Sequence, residues 1–288
     1  MLKNVDVSTL NINFVDFDRT EYLVQGKDQK ITIDVSLMCY KEIVEHGALP
    51  FLKAEFGEIL QDNPSPNFSA TLIVDLNSLP EDLEAYATKI ASFKRHCFAA
   101  FFEKFFLAQS EGKTSDKTII PIRQGESMFI QALPDRVTVI FCTRFKDQTD
   151  LLISKVFLQE FTEVRRKLDR APQVLYSPKE PPSELNSTDA ITGDDVAYFT
   201  IVLFPRHYSK ENKNKAVDLI HSLRNYMHYH IKCSKAYIQM RMRSKTVDFL
   251  KVLHRAQIEE PKNPAVRILV DSSTGDSAHT STSYANTL

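Results

Sequence analysis

One uninterrupted stretch near the C-terminus decides the interpretation of this sequence: residues 213–256, KNKAVDLIHSLRNYMHYHIKCSKAYIQMRMRSKTVDFLKVLHRA. Neither Gly nor Pro occurs between Arg206 and Glu260, so nothing in the sequence breaks a helix there. We therefore predict one long helix over 213–256. Apolar or small residues recur along it at helical spacing, at Leu223, Met227, Ile231, Ser234, Ile238, Met242, Thr246, Phe249 and Leu253.

The predicted helix is too long and too basic to be an ordinary core helix. It would be about 65 Å long, whereas a domain of about 130 residues has a radius of gyration of roughly 14 Å. Part of its apolar stripe must therefore contact another domain or another chain. Residues 228–256 have a net charge of +6 in a chain whose total is −1. This charge favours an acidic partner surface, although long basic side chains that only solvate the outer face of a core helix would give the same pattern.

Length and composition describe a globular protein with room for two domains. The chain has 288 residues, of which 43% are hydrophobic and 25% are charged. No apolar run reaches the 18 residues of a membrane-spanning helix, and the first residues lack the order of a signal peptide. The four cysteines, at positions 39, 97, 142 and 233, form no closely spaced pair, so we expect buried free thiols in a reducing compartment.

Hydrophobic periodicity predicts the same order of elements twice. Strands are predicted at 10–17, 21–25, 31–38 and 69–76, and again at 118–123, 128–132, 136–145, 173–176 and 196–204. Helices are predicted at 40–60, 80–109, 150–168 and 213–256. The predicted fold is α+β, with two related domains. Each domain is a mainly antiparallel sheet with helices packed on it, and the chain ends in the long C-terminal helix.

Composition also predicts the domain boundaries. A short polar linker at 112–117 separates a first domain, 1–112, from a second domain, 113–260, which includes the long helix. The character changes after Pro261, and the last eighteen residues contain nine Ser or Thr. Residues 261–288 are therefore predicted to be a disordered tail.

One motif suggests phosphatase chemistry. Asp16 and Asp18 form the D-x-D-x-T pattern of haloacid-dehalogenase-like phosphatases, in which the first Asp is the nucleophile and the second the acid/base. Asp194 and Asp195 offer an acidic pair for magnesium. That fold needs a parallel sheet with a strand leading into the acidic pair, whereas these aspartates precede a strand. A tight turn between two strands explains Asp16 and Asp18 equally well.

Two further patterns suggest metal or nucleic-acid binding. His228, His230 and Cys233 lie close together, but no second pair of ligands completes a tetrahedral site, and interface or core histidines explain them better. Tyrosines interleaved with Lys and Arg on the long helix could bind a phosphate backbone, although such aromatics more often face a core. The sequence contains no glycine-rich phosphate loop. We therefore expect no catalytic residues, no metal and no cofactor.

Several stretches together resemble subunit 2 of the actin-related protein 2/3 complex. The strongest are 229–238 (YHIKCSKAYI), 241–243 (RMR) and 248–253 (DFLKVL). Others follow in the family's order at 97–99, 102–104, 135–139, 157–161, 171–175 and 204–207, so that the likeness spans about residues 11–256. The sequence starts almost at the first predicted strand, where members of that family usually carry a further stretch with a short helix, and the tail after Pro261 does not resemble their basic tail.

The resemblance implies a non-catalytic scaffold. Its long helix would pack against a helix of the fourth small subunit, and this core would contact the side of a mother filament from which a branch grows. The partners implied are the two actin-related proteins, the other small subunits and the actin filament, with no nucleic acid and no membrane insertion. The implied location is the cytoplasm and cytoskeleton, including cell projections.

Two sets of site residues follow from this likeness and the helix pattern. The crossing with the partner helix is expected near Ser234, where small residues allow a close approach. The subunit interface is predicted at Leu223, Met227, Ile231, Ser234, Ile238, Met242, Phe249 and Leu253. The filament contact is predicted at Arg165, Arg166, Lys179, Arg206, Arg241, Arg243, Lys245, Lys251 and Arg255.

Overall fold

A computed structural model describes residues 7–16, 18–168, 170–186 and 188–256. Residue contacts divide the chain into two compact units, Met1–Ala236 and Tyr237–Leu288. The strands are β1 (Asn11–Val15), β2 (Glu21–Lys27), β3 (Lys30–Ser36), β4 (Ala70–Asp75), β5 (Thr118–Arg123), β6 (Glu126–Ala132), β7 (Val137–Arg144), β8 (Gln173–Pro178) and β9 (Val196–Leu203). The α-helices are α1 (Tyr40–Ile43), α2 (Leu49–Phe56), α3 (Leu83–Ala91), α4 (Phe93–Ser110), α5 (Gln148–Arg165) and α6 (Lys213–Arg255).

The first four strands form an antiparallel sheet in sequence order, β1-β2-β3-β4. A two-residue turn joins β2 to β3, and its residues Asp28 and Gln29 both have positive φ, as a type I′ hairpin requires. The register places Ile33 opposite both Val24 and Leu72. The predicted strands in this part of the chain are confirmed, with ends that shift by one or two residues.

The other five strands form a second antiparallel sheet in the order β5-β6-β7-β9-β8. Strand β9 lies between β7 and β8, and all eight of its residues are buried. Its alternate residues enter two different clusters: Phe199 and Ile201 join the main core, whereas Val196 and Tyr198 pack with Leu185 on the opposite face. Because both faces are covered, the strand is apolar without interruption.

The structure corrects the helix predicted at 80–109, which is two helices. The side chain of Asp82 accepts a hydrogen bond from the amide of Ala85 at 2.9 Å and begins α3. At Ser92 the backbone leaves the α-helical region, with φ −89° and ψ 15°, and α4 begins at the next residue. This break directs Phe93 into the core, where it is 1% exposed and contacts Phe56 edge-on.

The helix predicted at 40–60 is interrupted in the structure. A π-helical turn, Val44–Ala48, lies between α1 and α2, and a 3₁₀ turn, Gly57–Ile59, follows α2. Gly47 has φ +94°, a conformation that a residue with a side chain rarely adopts. The interruption therefore depends on that glycine.

One hydrophobic core includes residues of both sheets. It contains Leu72 of β4, Phe101 of α4, Ile130 of β6, Ile201 of β9 and Ile220 of α6. The architecture is α+β, with two antiparallel sheets, packed helices and a long C-terminal helix, as predicted. The predicted linker at 112–117 is the connection between α4 and β5, while the predicted tail at 261–288 lies outside the described residues.

The prediction of four buried thiols is wrong at one position. Cys39, Cys97 and Cys142 are buried and free, whereas Cys233 is exposed. Cys233 lies on the face of α6 opposite to the buried Ile231. Within the part of the chain that the structure describes, no helix is both long and apolar enough to cross a bilayer.

Candidate interaction surfaces

The first half of α6, residues 213–236, belongs to the core of the first unit. Its buried apolar residues share one helix face, and they are Ala216, Val217, Ile220, Leu223, Met227 and Ile231. Ser234 is half-buried, and the other three residues predicted at the subunit interface on this half, Leu223, Met227 and Ile231, are only 4%, 1% and 3% exposed. They pack in the same core as α4 and β6, so their assignment to a subunit interface is corrected here.

The same half of α6 takes part in a buried ionic cluster around Glu126. The Nε of Arg224 donates to Glu126 Oε2 at 2.8 Å, Arg123 Nη2 donates to Oε1 at 2.6 Å, and His228 Nε2 lies 2.5 Å from Oε1. Burial raises the pKa of Glu126, but the hydrogen bond from His228 and the charge of Arg224 outweigh it, and the pKa is held far below its usual range. Burial lowers the pKa of His228 against the opposing effect of Glu126. Near pH 7 the carboxylate is therefore ionised and the imidazole neutral.

The D-x-D motif is part of this ionic structure. Asp16 and Asp18 lie in the turn between β1 and β2, and Lys94 Nζ is 2.8 Å from one carboxylate and 2.5 Å from the other. Burial raises the pKa of Asp18, but the Lys94 charge and hydrogen bond lower it overall. Arg224 Nη1 lies 3.8 Å from Asp18. The motif is a salt-bridged hairpin turn on an antiparallel sheet, which does not support phosphatase chemistry.

The cluster of His and Cys on α6 does not form a metal site. His228 contacts Glu126, the ring of His230 stacks on Phe157 with centroids 5.1 Å apart, and Cys233 is exposed. Among the described residues no group of three or more His, Cys, Asp or Glu is arranged to hold a metal ion. The histidines at 228 and 230 instead contribute to packing within the chain.

The second half of the helix, residues 237–256, is exposed along its whole length. With about 100° between successive residues, Ile238, Met242, Phe249 and Leu253 lie within an arc of roughly 60°. Large apolar side chains of this half are 46–68% exposed, and they are Tyr237, Ile238, Met240, Met242, Val247, Phe249, Leu250, Val252 and Leu253. A contiguous apolar surface of this kind is typical of a protein interface.

The predicted basic residues of this half are exposed as well. The guanidinium of Arg241 lies 5.9 Å from the centre of the Tyr237 ring, and Lys251 Nζ is 3.6 Å from Asp248. Arg243, Lys245 and Arg255 form no ion pair with a described residue. The residues 237–256 carry five bases and one acid, so this surface is both apolar and positive.

The predicted basic residues of the first unit are in varied environments. Arg165 is half-buried and donates to the backbone carbonyls of Ala171 and Pro172, so it holds a loop. Two others are exposed and paired: Arg166 with Glu163 at 3.0 Å, and Lys179 with Asp194 at 2.7 Å. Arg206 is exposed, and its guanidinium lies 5.4 Å from the centre of the Phe204 ring.

Two surfaces were missed by the sequence analysis. The first is a groove of about 520 Å³ between the residues that follow α5 and the start of α6, called here the basic groove, and it is lined by Arg170, Pro172, Arg206, His207, Asn212, Lys215, Ala216 and Leu219. The sequence pattern selected only Arg206, because residues brought together from three separate segments leave no common signal.

The second missed surface is an apolar groove of about 830 Å³ on the first sheet, between its strands and α3. Phe14 stacks on Tyr22 at 4.8 Å on one side of it, and Leu83 and Tyr86 of α3 lie on the other. The alternation of apolar residues in β2 and β3 was the available signal for this face.

Comparisons with known proteins agree on one family. Residues 33–260 match the model of the Arp2/3 complex 34 kD subunit, p34-Arc. The chain is 35% identical over 276 residues to actin-related protein 2/3 complex subunit 2 of Schizosaccharomyces pombe, with 87% of each chain covered. It is 34% identical over 265 residues to the protein of the same name from Dictyostelium discoideum, with 90% of this chain and 89% of that protein covered.

Proposed function

The chain belongs to the p34-Arc family of Arp2/3 complex subunits, and from that premise we propose how it acts within the complex. It is a structural subunit and not an enzyme, in a complex of the cytoskeleton that nucleates actin filaments. Its long helix pairs with the fourth small subunit, and the pair forms the core that contacts the mother filament.

The observation that carries this proposal is the exposed apolar surface of residues 237–256. Ile238, Met242, Phe249 and Leu253 are each at least 46% exposed and lie on one side of the helix. A helix with an apolar stripe of this kind gains stability when a second helix covers the stripe. The partner for this half is therefore a helix with its own apolar stripe, as the fourth small subunit would supply.

Contact with the mother filament is proposed for the exposed bases. Arg243, Lys245 and Arg255 are the strongest members of the set, because they form no ion pair with a described residue. Arg165 is the weakest, because its guanidinium is already bonded to two backbone carbonyls. Each exposed pair contributes little, so filament binding depends on the whole set.

The remaining partners and the location follow from the same role. The chain assembles with the two actin-related proteins and the other small subunits, and it binds neither nucleic acid nor the interior of a membrane. Its location is the cytoplasm and the cytoskeleton, with enrichment in cell projections where branched filaments form.

The helix pairing is tested by recovering the complex on tagged full-length chains. The variant Phe249→Asp/Leu253→Asp places two carboxylates in the apolar stripe and should lose the fourth small subunit. The matched control, Gln239→Asp/Ser244→Asp, adds the same charge to the same exposed half and should recover all partners in equal amounts. Normal recovery with the first variant would refute the pairing through this stripe.

The position of the helix crossing is tested separately at Ser234, which is half-buried. A Ser234→Leu variant adds bulk where two helices are expected to approach most closely, and it should reduce assembly while the fold of the chain is retained. Ser244→Leu adds the same bulk at an exposed position and serves as the control. Normal assembly with Ser234→Leu would move the crossing away from this residue.

A further inference from the structure

The basic groove has the features of a binding site, and among its lining residues only Arg206 also belongs to the proposed filament contact. We propose that it binds an acidic peptide segment of a partner protein, with one apolar side chain of that segment seated on the floor of the groove. Its volume of about 520 Å³ falls in the range of ligand sites. This inference rests on the first unit alone and does not depend on the pairing of the long helix.

One wall of the groove is fixed by hydrogen bonds to the backbone. His207 Nδ1 accepts from the amide of Phe204 at 3.0 Å, and its Nε2 lies 3.2 Å from both the carbonyl oxygen of Arg170 and the Nε of Arg206. Asn212 Nδ2 donates to the carbonyl of Arg206 at 3.3 Å. A ligand would therefore find this wall already ordered, which lowers the entropic cost of binding.

The loop that contains Ala171 and Pro172, on the other side of the groove, is also held by hydrogen bonds to its backbone. Arg165, at the end of α5, donates through Nε to the carbonyl of Pro172 and through Nη2 to that of Ala171. The guanidinium groups thus have different roles, because Arg165 holds the backbone whereas the side chains of Arg170 and Arg206 remain at the rim, where both residues are exposed.

The charge of the rim selects an anionic ligand. Arg170, Arg206 and Lys215 line the groove, no Asp or Glu is among the lining residues that the structure describes, and these three cations form no ion pair with a described residue. Arg206 packs on the ring of Phe204, which orients its guanidinium. Three neighbouring positive charges repel one another, and an acidic ligand relieves that repulsion.

The floor of the groove favours a peptide over a simple phosphate. It is formed by Pro172, Ala216 and Leu219, which are buried or half-buried apolar residues. An inorganic anion would leave this apolar surface in contact with water, whereas a peptide with carboxylates beside an aliphatic side chain covers the floor and pairs with the rim.

The test measures fluorescence anisotropy with the assembled complex and a labelled probe. The probe is the peptide Asp-Glu-Asp-Leu-Glu-Asp with an N-terminal fluorescein, and its partner probe has Ser in place of Leu. Binding of the Leu probe should weaken at least tenfold in the variant Arg206→Glu/Lys215→Glu. The matched control, Lys27→Glu/Lys30→Glu, reverses two exposed charges at the turn between β2 and β3 and should bind as the unchanged protein does.

The possible results of this experiment distinguish an acidic peptide from an inorganic phosphate as the ligand of the basic groove. Tighter binding of the Leu probe than of the Ser probe, lost in the groove variant alone, supports the proposal. Equal binding by the groove variant and the control would overturn it, as would an absence of binding to the unchanged protein. Displacement of the probe by inorganic pyrophosphate at equal concentration would also overturn it, because a phosphate ligand would then suffice.

Discussion

The two halves of α6 contain the same numbers of bases and acids but lie in opposite environments. Residues 213–236 contain five bases and one acid, and so do residues 237–256. Three bases of the first half pair with other elements, Lys213 with Glu103, Arg224 with Glu126 and Lys235 with Asp147, and apolar side chains of this half are in the core. In the second half the apolar side chains are exposed. Composition and periodicity therefore identify the helix. Whether the apolar side chains of each half are buried depends on whether other parts of the protein pack against that half.

The largest expected effect comes from comparing two single variants, each of which removes one arginine from one half of α6. Arg224→Met removes the two hydrogen bonds that Arg224 donates to the buried carboxylate of Glu126, so we expect the free energy of unfolding to fall by about 3–5 kcal/mol. Arg243→Met, in the exposed half, should change it by less than about 0.5 kcal/mol. Urea unfolding of the purified chain, followed by circular dichroism, measures both. Equal effects would mean that the two halves are not in different environments.

A pair of methionines tests the same difference in packing. Met227 is 1% exposed and Met242 is 66% exposed. Met227→Ala should cost about 2–5 kcal/mol, because the surrounding core does not fully collapse onto the cavity. Met242→Ala should leave the stability of the chain within about 0.5 kcal/mol, but it should weaken recovery of the fourth small subunit. A stability loss at Met242 would show that this chain itself covers the second half of the helix.

Acidic pH should lower the stability of the chain through His228, which lies in the first half of α6. The pKa of this imidazole is lowered by burial, so the unfolded chain binds a proton more readily than the folded chain. Its contribution to stability is therefore complete above the ordinary value of 6.5 and is lost as the pH falls below that value. His228→Gln should remove this part of the pH dependence of urea unfolding. The loss that comes from Glu126 should begin only below its ordinary value of 4.5, because its pKa is lowered too.

The smallest single effects are expected at the exposed bases of the second half. Reversal of Arg241, Arg243 and Lys245 to Glu should weaken cosedimentation of the complex with actin filaments, because the three act as a set. The stability of the chain and the recovery of its partners should not change. Lys27→Glu, at an exposed turn of the first sheet, is the control. Unchanged cosedimentation with the triple variant would remove these bases from the filament contact.

Local sequence patterns predicted the secondary-structure elements more accurately than the burial and the spatial neighbours of their residues. Alternating apolar residues located the strands, and the helix from 213 onward needed only its lack of Gly and Pro. The break at Ser92 was missed, because Ser is tolerated inside helices and no Gly or Pro marks the turn before the buried Phe93. The basic groove was missed as well, since Arg170, Arg206 and Lys215 come together only when the chain folds.

The sequence by itself determined the strands, the long C-terminal helix, the α+β class and the family, because periodicity and family motifs are local properties of the chain. Only the tertiary structure decided that Leu223, Met227 and Ile231 belong to the core while Phe249 and Leu253 remain exposed. Only it showed that the carboxylates of the D-x-D motif pair with Lys94. The physical reason is that burial and ion pairing depend on residues distant in sequence, and a helix presents the same stripe whether or not a neighbour covers it.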